Sequence, residues 1–196
     1  MSMEHKAFLF DTAKYHIEIE KVLELCCQCG DSSLAKQYID EHLEMFSSPY
    51  TWEPLEQDWE QELENGNMQE YFDFLLTACY DGEDDIGLSY SWDAVNEIIK
   101  LLDFMDGAEK CVLGTQIGFH EIVVDPGQMG LGIIDATEIS KLKEKLIENK
   151  AKLENMPLSE DLMYGLTQDE ICDAYDELCN IYKEAEKEGK GILFTF

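Results

Sequence analysis

Apolar positions along this chain recur at two periods, and the switches between them mark out the elements. The run KAFLFD at 6–11 reads as a short strand, with Asp11 or Thr12 placed to cap the next segment. Tyr15, Ile19, Val22, Cys26 and Cys29 then recur at helical spacing until Gly30 stops them. HIEIE at 16–20 also alternates like a strand, but the longer period covers more residues and predicts helix. A second helix is predicted over 33–46, with Ala35, Tyr38, Ile39, His42, Leu43 and Phe46 on one side, and SSPYTWEP breaks it. From Pro54, well placed in a first helical turn, Leu55, Trp59 and Leu63 continue a spacing begun at Trp52. Gly66-Asn67 ends that segment.

Asn67 with Glu70 has the form of a capping box opening a strongly apolar helix through Tyr71, Phe72, Leu75, Leu76 and Cys79. Ser91 can cap another, with Trp92, Val95, Ile98, Leu102 and Met105 buried and Gly107 as its stop. Between Cys111 and Ile134 the texture changes to short apolar runs punctuated by glycine, which suit brief strands or an irregular connection. Asp135 with Glu138, and Thr167 with Glu170, announce two further helices, and GILFTF closes the chain as a strand. Strands at both ends and helices between predict an α+β fold, predominantly helical, with a small sheet that includes the N- and C-terminal strands.

A length of 196 residues, 45% of them hydrophobic, is enough for one continuous core, and 1–196 is read as a single domain. Charge changes the picture more. There are 43 acids against 14 basic residues, a formal net charge of −29, and every basic residue is lysine. Without arginine there is no planar fork for carboxylate or phosphate and no arginine finger. Nucleic-acid binding is disfavoured further, because this surface would repel a duplex. A basic protein, a polyamine or a metal cation is the partner such a surface attracts. No apolar stretch approaches a membrane span, and the N-terminal run is too short for a signal-peptide core. Seven irregularly spaced cysteines do not form a secreted disulfide framework, so a reducing cytoplasm is expected.

The acid excess is concentrated. Residues 37–99 contain 17 acids and no lysine. On the predicted helix from Pro54, Glu53, Glu56, Glu60 and Glu64 would lie three or four apart on one side, where like charges repel. Such a face is either merely solvated or relieved by a positive partner. The densest cluster is Asp81, Glu83, Asp84 and Asp85. Its alternation begins like a calcium loop, but Gly87 falls one position late and Trp92 stands where a bidentate glutamate is required. A glycine-flanked polar turn also offers little burial to split two carboxyl pKa values, so acid–base catalysis is not expected there.

Cys26 and Cys29 form a C-x2-C pair but continue a helical stripe, and core packing explains them better than zinc. No phosphate-binding glycine fingerprint, nucleophile elbow or zincin motif occurs, and no cofactor is implied. The most enzyme-like group is His120, Glu121 and Asp125 in GFHEIVVDPGQMGLG, which offers a metal-dependent hydrolase as the alternative reading.

SYSWDAVNEIIKLLD at 89–103, CVLGTQIG at 111–118, GLGIIDATEISKLKEKL at 130–146 and DAYDELCNIYKEAEKEGKGILFTF at 173–196 together resemble the YfbM-like family of small bacterial proteins. The resemblance implies a compact α+β domain whose closing helix leads into a final strand; it brings no assigned reaction and no catalytic residues. Residues 30–88 fall outside it and stand as a candidate insertion. The expectation is therefore a cytoplasmic, non-enzymatic protein that binds a basic partner, such as a toxin to which it is the antidote. Trp52 and Trp59, with Tyr50, would be anchors if exposed, and Glu53, Glu56, Asp81, Glu83, Asp84 and Asp85 would supply the field.

Overall fold

Two helical layers enclose a three-stranded antiparallel sheet in the computed structural model, which describes residues 3–102, 104, 105, 107–159 and 163–196. The strands are β1 (Lys6–Phe10), β4 (Leu131–Ile134) and β5 (Gly191–Thr195), in the order β1-β5-β4. The last strand is thus the middle one, with Phe8 and Ile133 both opposite Leu193. A small hairpin of β2 (Gly118–Phe119) and β3 (Ile122–Val123) lies apart from it. The fold is α+β, with the N- and C-terminal strands in one sheet.

Alternation along the strands distributes side chains to two cores. Ala7, Ile134, Ile192 and Phe194 face α5 (Trp92–Leu102), α7 (Ala136–Glu154) and α8 (Gln168–Glu188). Phe8, Phe10, Leu131 and Leu193 face α2 (Glu20–Cys29), α3 (Ser33–Glu41) and α4 (Met68–Leu76). A strand covered on both faces reads as a continuous apolar run, which is what GILF does. On the first side, two tyrosine hydroxyls are sunk in the core and each donates to a carbonyl: Tyr175 to Leu146 (2.8 Å) and Tyr182 to Cys111 (3.0 Å). At the far edge Gly132 lies against the backbone of Leu113 and Gly114, a crossing that leaves no room for a Cβ. That crossing lets Thr115 pair with Ile133, just after the short α6 (Lys110–Leu113).

Residues 30–88 are part of the body of this fold. Ala35, Ile39, Phe46, Leu55, Trp59 and the apolar side of α4 supply much of the second core. Without them Phe8, Phe10 and Leu193 would lose part of their cover, keeping that from α2.

Helix ends agree with the caps read from sequence in several places. Thr167 and Glu170 form the full reciprocal box, and Gly30 and Gly189 take left-handed conformations as helix stops. Asn67 accepts from the amides of Gln69 and Glu70, but the Glu70 carboxylate serves the amides of Asn65 and Gly66 instead of closing the box. Asp135 caps α7 alone, because Glu138 is drawn to Lys110 at 2.5 Å. The first helix begins as α1 (Thr12–Lys14) and passes through a π turn at Tyr15–Ile19 before α2. Ile17 is left 78% exposed on that turn, while Tyr15 and Ile19 are buried.

Three predicted spans differ. The second helix stops at Glu41, followed by a 3-10 turn at Leu43–Met45. The helix after Ser91 ends at Leu102, with Phe104 and Met105 beyond it; positions 103 and 106 lie outside the described residues. The helix predicted from Pro54 does not form. Ser47 and Pro54 make a β-bridge, Leu55 donates to the Phe46 carbonyl, and only a 3-10 turn at Trp59–Glu62 remains. A short segment with like charges at every helical spacing gains little from being helical, and burying Leu55 and Trp59 against α3 and α4 decides its path.

Candidate functional site

Trp52 joins two acidic segments that lie thirty positions apart. Its indole lies over Gly82, where a Cβ would overlap the ring, and meets the Tyr80 ring edge-on at 5.1 Å. Glu53 is therefore on the same part of the surface as Asp81 and Glu83. The turn that presents Trp52 is tied by Ser48, which is buried and accepts from the amides of Tyr50 and Thr51 while donating to Glu62 at 2.5 Å. The Trp52 amide donates to the Ser48 carbonyl. This tight turn puts Trp52 at φ +60°, an uncommon conformation for a bulky residue.

The acidic loop also finishes the sheet. The Asp85 carboxylate accepts from the amides of Ala7 (3.1 Å) and Gly87 (2.9 Å), Ile86 donates to the Ala7 carbonyl, and Ser89 exchanges two hydrogen bonds with His5. Residues 85–89 thereby cover the open edge of β1, the kind of edge that otherwise invites another strand. Asp85 is a structural acceptor as well as a surface charge. Asp81 bends the loop by accepting from the Glu83 amide at 3.0 Å. A hollow of about 380 Å³ lies between the loop and α8, lined by Leu9, Asp81, Glu83, Asp84, Glu184 and Lys190 among others.

Some of the acids in the lysine-free window are already occupied. Lys36, one residue outside it, pairs with Glu60 and lies 3.8 Å from Asp40. Glu97 pairs with Lys100 at 2.7 Å. Glu53, Glu56, Asp81, Glu83, Asp84 and Asp85 are exposed, and among the described residues none has a lysine within ion-pairing distance.

Of the anchors expected from sequence, Trp52 is half-buried and Tyr50 is 50% exposed, while Trp59 is only 1% exposed. Trp59 packs on Phe74 and donates its indole N–H to Asp40 at 3.0 Å. It is a core residue and no partner can reach it, so the condition on which it was an anchor candidate, exposure, is not met. Glu56 lies apart from Trp52, beside a shallow depression with Leu43, Leu55 and Asp58.

The alternative group is not assembled. His120 is an exposed residue at φ +56° in the β2–β3 turn. Asp125 folds back to accept from the Gly130 amide through both oxygens, and Glu121 is exposed. Among the described residues, no three His, Cys, Asp or Glu side chains converge to hold a metal ion. The cysteines are all free; burial pushes the Cys79 and Cys111 thiols up to about 12 and that of Cys179 to about 11, the wrong direction for a nucleophile. Cys29, expected on the packed stripe, is exposed.

Two features escaped the sequence reading. His16, on the π turn, is held by Glu20 through Nδ1 and by Asp135 through Nε2, both at 2.8 Å, at the mouth of a cleft of about 280 Å³. The two carboxylates raise its pKa. The Glu20 contact was legible as an i,i+4 pair, but Asp135 is 119 positions away. The second is Asp73, an acid set in the apolar run YFDFLL; burial pushes its carboxyl up to about 6, and among the described residues no hydrogen bond or cation opposes the shift.

Among the described residues, no helix is long and apolar enough to cross a membrane. No family model, curated protein or solved structure matches the chain.

Proposed function

We propose that this chain is a non-enzymatic binding protein that captures a basic protein on the acidic surface around Trp52, in the manner of an antidote or antagonist of a cationic toxin. The observation that carries the reading is the meeting of two acidic segments under one indole, with Glu53, Asp81, Glu83 and Asp84 exposed and without lysine partners among the described residues. A surface of this kind speeds encounter with a positive partner and disfavours nucleic acid. The aromatic ring offers an apolar contact that charge alone does not. The YfbM-like resemblance adds an expectation of fold and no residue roles.

The test is affinity capture from the native host with the wild-type chain and with a Glu53→Gln/Asp81→Asn/Glu83→Gln variant, at low and at 0.5 M salt. A basic protein retained by wild type, released by salt, and then bound at least tenfold more weakly by the variant after purification supports the reading. Failure of wild type to retain any basic protein, or equal binding by the variant, refutes it.

A further inference from the structure

Residues 85–89 form a strap along the outer edge of β1 and have no helix or strand of their own. They take every outward-facing backbone group of His5 and Ala7. His5 and Ser89 exchange amide-to-carbonyl hydrogen bonds of 2.9 and 3.0 Å, Ile86 donates to the Ala7 carbonyl at 2.9 Å, and the Asp85 carboxylate accepts from the Ala7 amide. The fit is close: a Cβ on Gly87 would lie 2.4 Å from the His5 carbonyl oxygen, and Ser89 is held at φ +50°. Leu88 is the one side chain of the five that is fully packed, and the residues on either side of the strap, Asp84 and Tyr90, are exposed.

One side chain decides whether the strap can lie there. The His5 ring is completely buried, among Trp92 of α5, Phe194 of β5 and Phe196. Its Nε2 lies 2.7 Å from the Val112 carbonyl on α6, and its Nδ1 lies 3.2 Å from the Leu88 amide nitrogen. A carbonyl only accepts and an amide N–H only donates, so both contacts are made by one form of the imidazole alone, neutral and with its proton on Nε2. An imidazolium carries a proton on each nitrogen, and the one on Nδ1 would point at the Leu88 N–H. Taking up a second proton and bonding the strap therefore exclude each other. Among the described residues, the charged group that faces the ring is Asp85 on the strap itself; α5, α6 and β5 present aromatic rings and the Val112 carbonyl. Burial holds the His5 pKa below its ordinary 6.5, against the weaker pull of the Val112 carbonyl and Asp85.

We propose that residues 85–89 are an acid-released strap: proton uptake at His5 Nδ1 breaks the bond to Leu88 and frees the strap from β1, while β1, β5 and β4 stay paired. Release returns the His5 ring to water and to its ordinary pKa. Above about pH 6.5 the ring is neutral in both forms and acidity has no effect on the strap. Below that value only the released form binds the proton, so release becomes about tenfold more favourable per pH unit until the lower pKa of the buried ring is reached. A released strap bares the β1 edge to pairing with another strand and unties the acidic loop that ends at Asp85. The strap works in this way whether or not a basic protein binds the acidic surface.

The test is amide hydrogen exchange of the full isotope-labelled chain, followed by NMR from pH 8 to pH 5 together with the His5 ring nitrogens. At pH 7 the ring should be neutral with its proton on Nε2. Protection of the His5, Ile86, Leu88 and Ser89 amides, corrected for intrinsic exchange, should be constant above about pH 6.5 and fall about tenfold per pH unit below it. The β5 amides should keep their protection throughout. In His5→Asn, whose side-chain oxygen stands near the Nδ1 position and does not titrate, the pH dependence should vanish; if that variant does not fold, the wild-type titration decides. Asp85→Asn keeps an oxygen for the Ala7 amide and should retain the pH dependence, and its loss there would assign the effect to Asp85 and overturn the role of His5. Strap protection that stays flat from pH 8 to pH 5, strap and β5 amides lost together, or a proton on Nδ1 at pH 7 also overturns it.

Discussion

Replacing Asp73 by asparagine should make the protein more stable at neutral pH, an unusual outcome for a change within the packed run YFDFLL. Burial lifts the Asp73 carboxyl from its ordinary 3.8 to about 6 in the folded chain. Each pKa unit corresponds to about 1.4 kcal/mol, so keeping this group ionised at pH 7 costs the fold at most about 3 kcal/mol. Residual solvent contact and the polarity of the new amide reduce the expected gain to about 1–2 kcal/mol. Below the unfolded pKa the carboxyl is protonated in both states and there is no penalty. Between the two values only the folded form holds the proton, and above about 6 the penalty is complete. The advantage of Asp73→Asn over wild type should therefore be largest at pH 7 and shrink toward pH 4. In urea denaturation it would appear as a midpoint raised by roughly 0.5–1 M at pH 7 with an unchanged slope. A variant less stable than wild type at pH 7, or a gap of constant size from pH 7 to pH 4, would refute the account of Asp73 as an uncompensated carboxylate.

His16 has the opposite sign: its folded pKa is raised, so its ties to Glu20 and Asp135 stabilise fully below about pH 6.5 and fade as pH rises through the folded value. His16→Gln should lower the melting temperature at pH 6 by an amount worth about 1 kcal/mol or less, given the exposure of the pair, and by less at pH 9. Trp59→Ala should cost about 3–5 kcal/mol in urea denaturation, because it empties a core site; a loss under 1 kcal/mol would place Trp59 at the surface after all. Thr167→Ala removes the hydroxyl that accepts from the Glu170 amide, one half of a capping box, and should cost about 1 kcal/mol by the same measurement. Gly82→Ala forces the Trp52 indole off the acidic loop, which a change in fluorescence would report in a variant keeping Trp52 as its only tryptophan.

The cap signals were the most informative local features. Thr167-x-x-Glu170 and the glycines at 30 and 189 act within one turn of chain, and no distant group competes for them as Lys110 does for Glu138. The helix predicted from Pro54 failed for the converse reason. Its apolar residues were genuinely destined for burial, but Leu55 and Trp59 reach the core from an irregular strand and a 3-10 turn, and periodicity records which residues are buried without recording the path. Periodicity likewise could not say whether Trp52 or Trp59 would be the one left partly open to solvent. Asp73 carried a visible signal, one acid among aromatic neighbours, whereas the pairing of His16 with Asp135 had none.

By itself, the order of residues determined the class of fold, the two terminal strands, most helix ends and the sign of the surface, because each depends on neighbours in the chain or on a simple sum of charges. Tertiary structure alone decided that the final strand lies in the middle of the sheet, that residues 30–88 cover one of its faces, and that Trp52 closes over Gly82. It also decided which carboxylates lysine neutralises and which are left bare. Those outcomes depend on contacts between segments tens to more than a hundred positions apart, where the free energy lies in burial and in charge separation through space, and neither is written in local spacing.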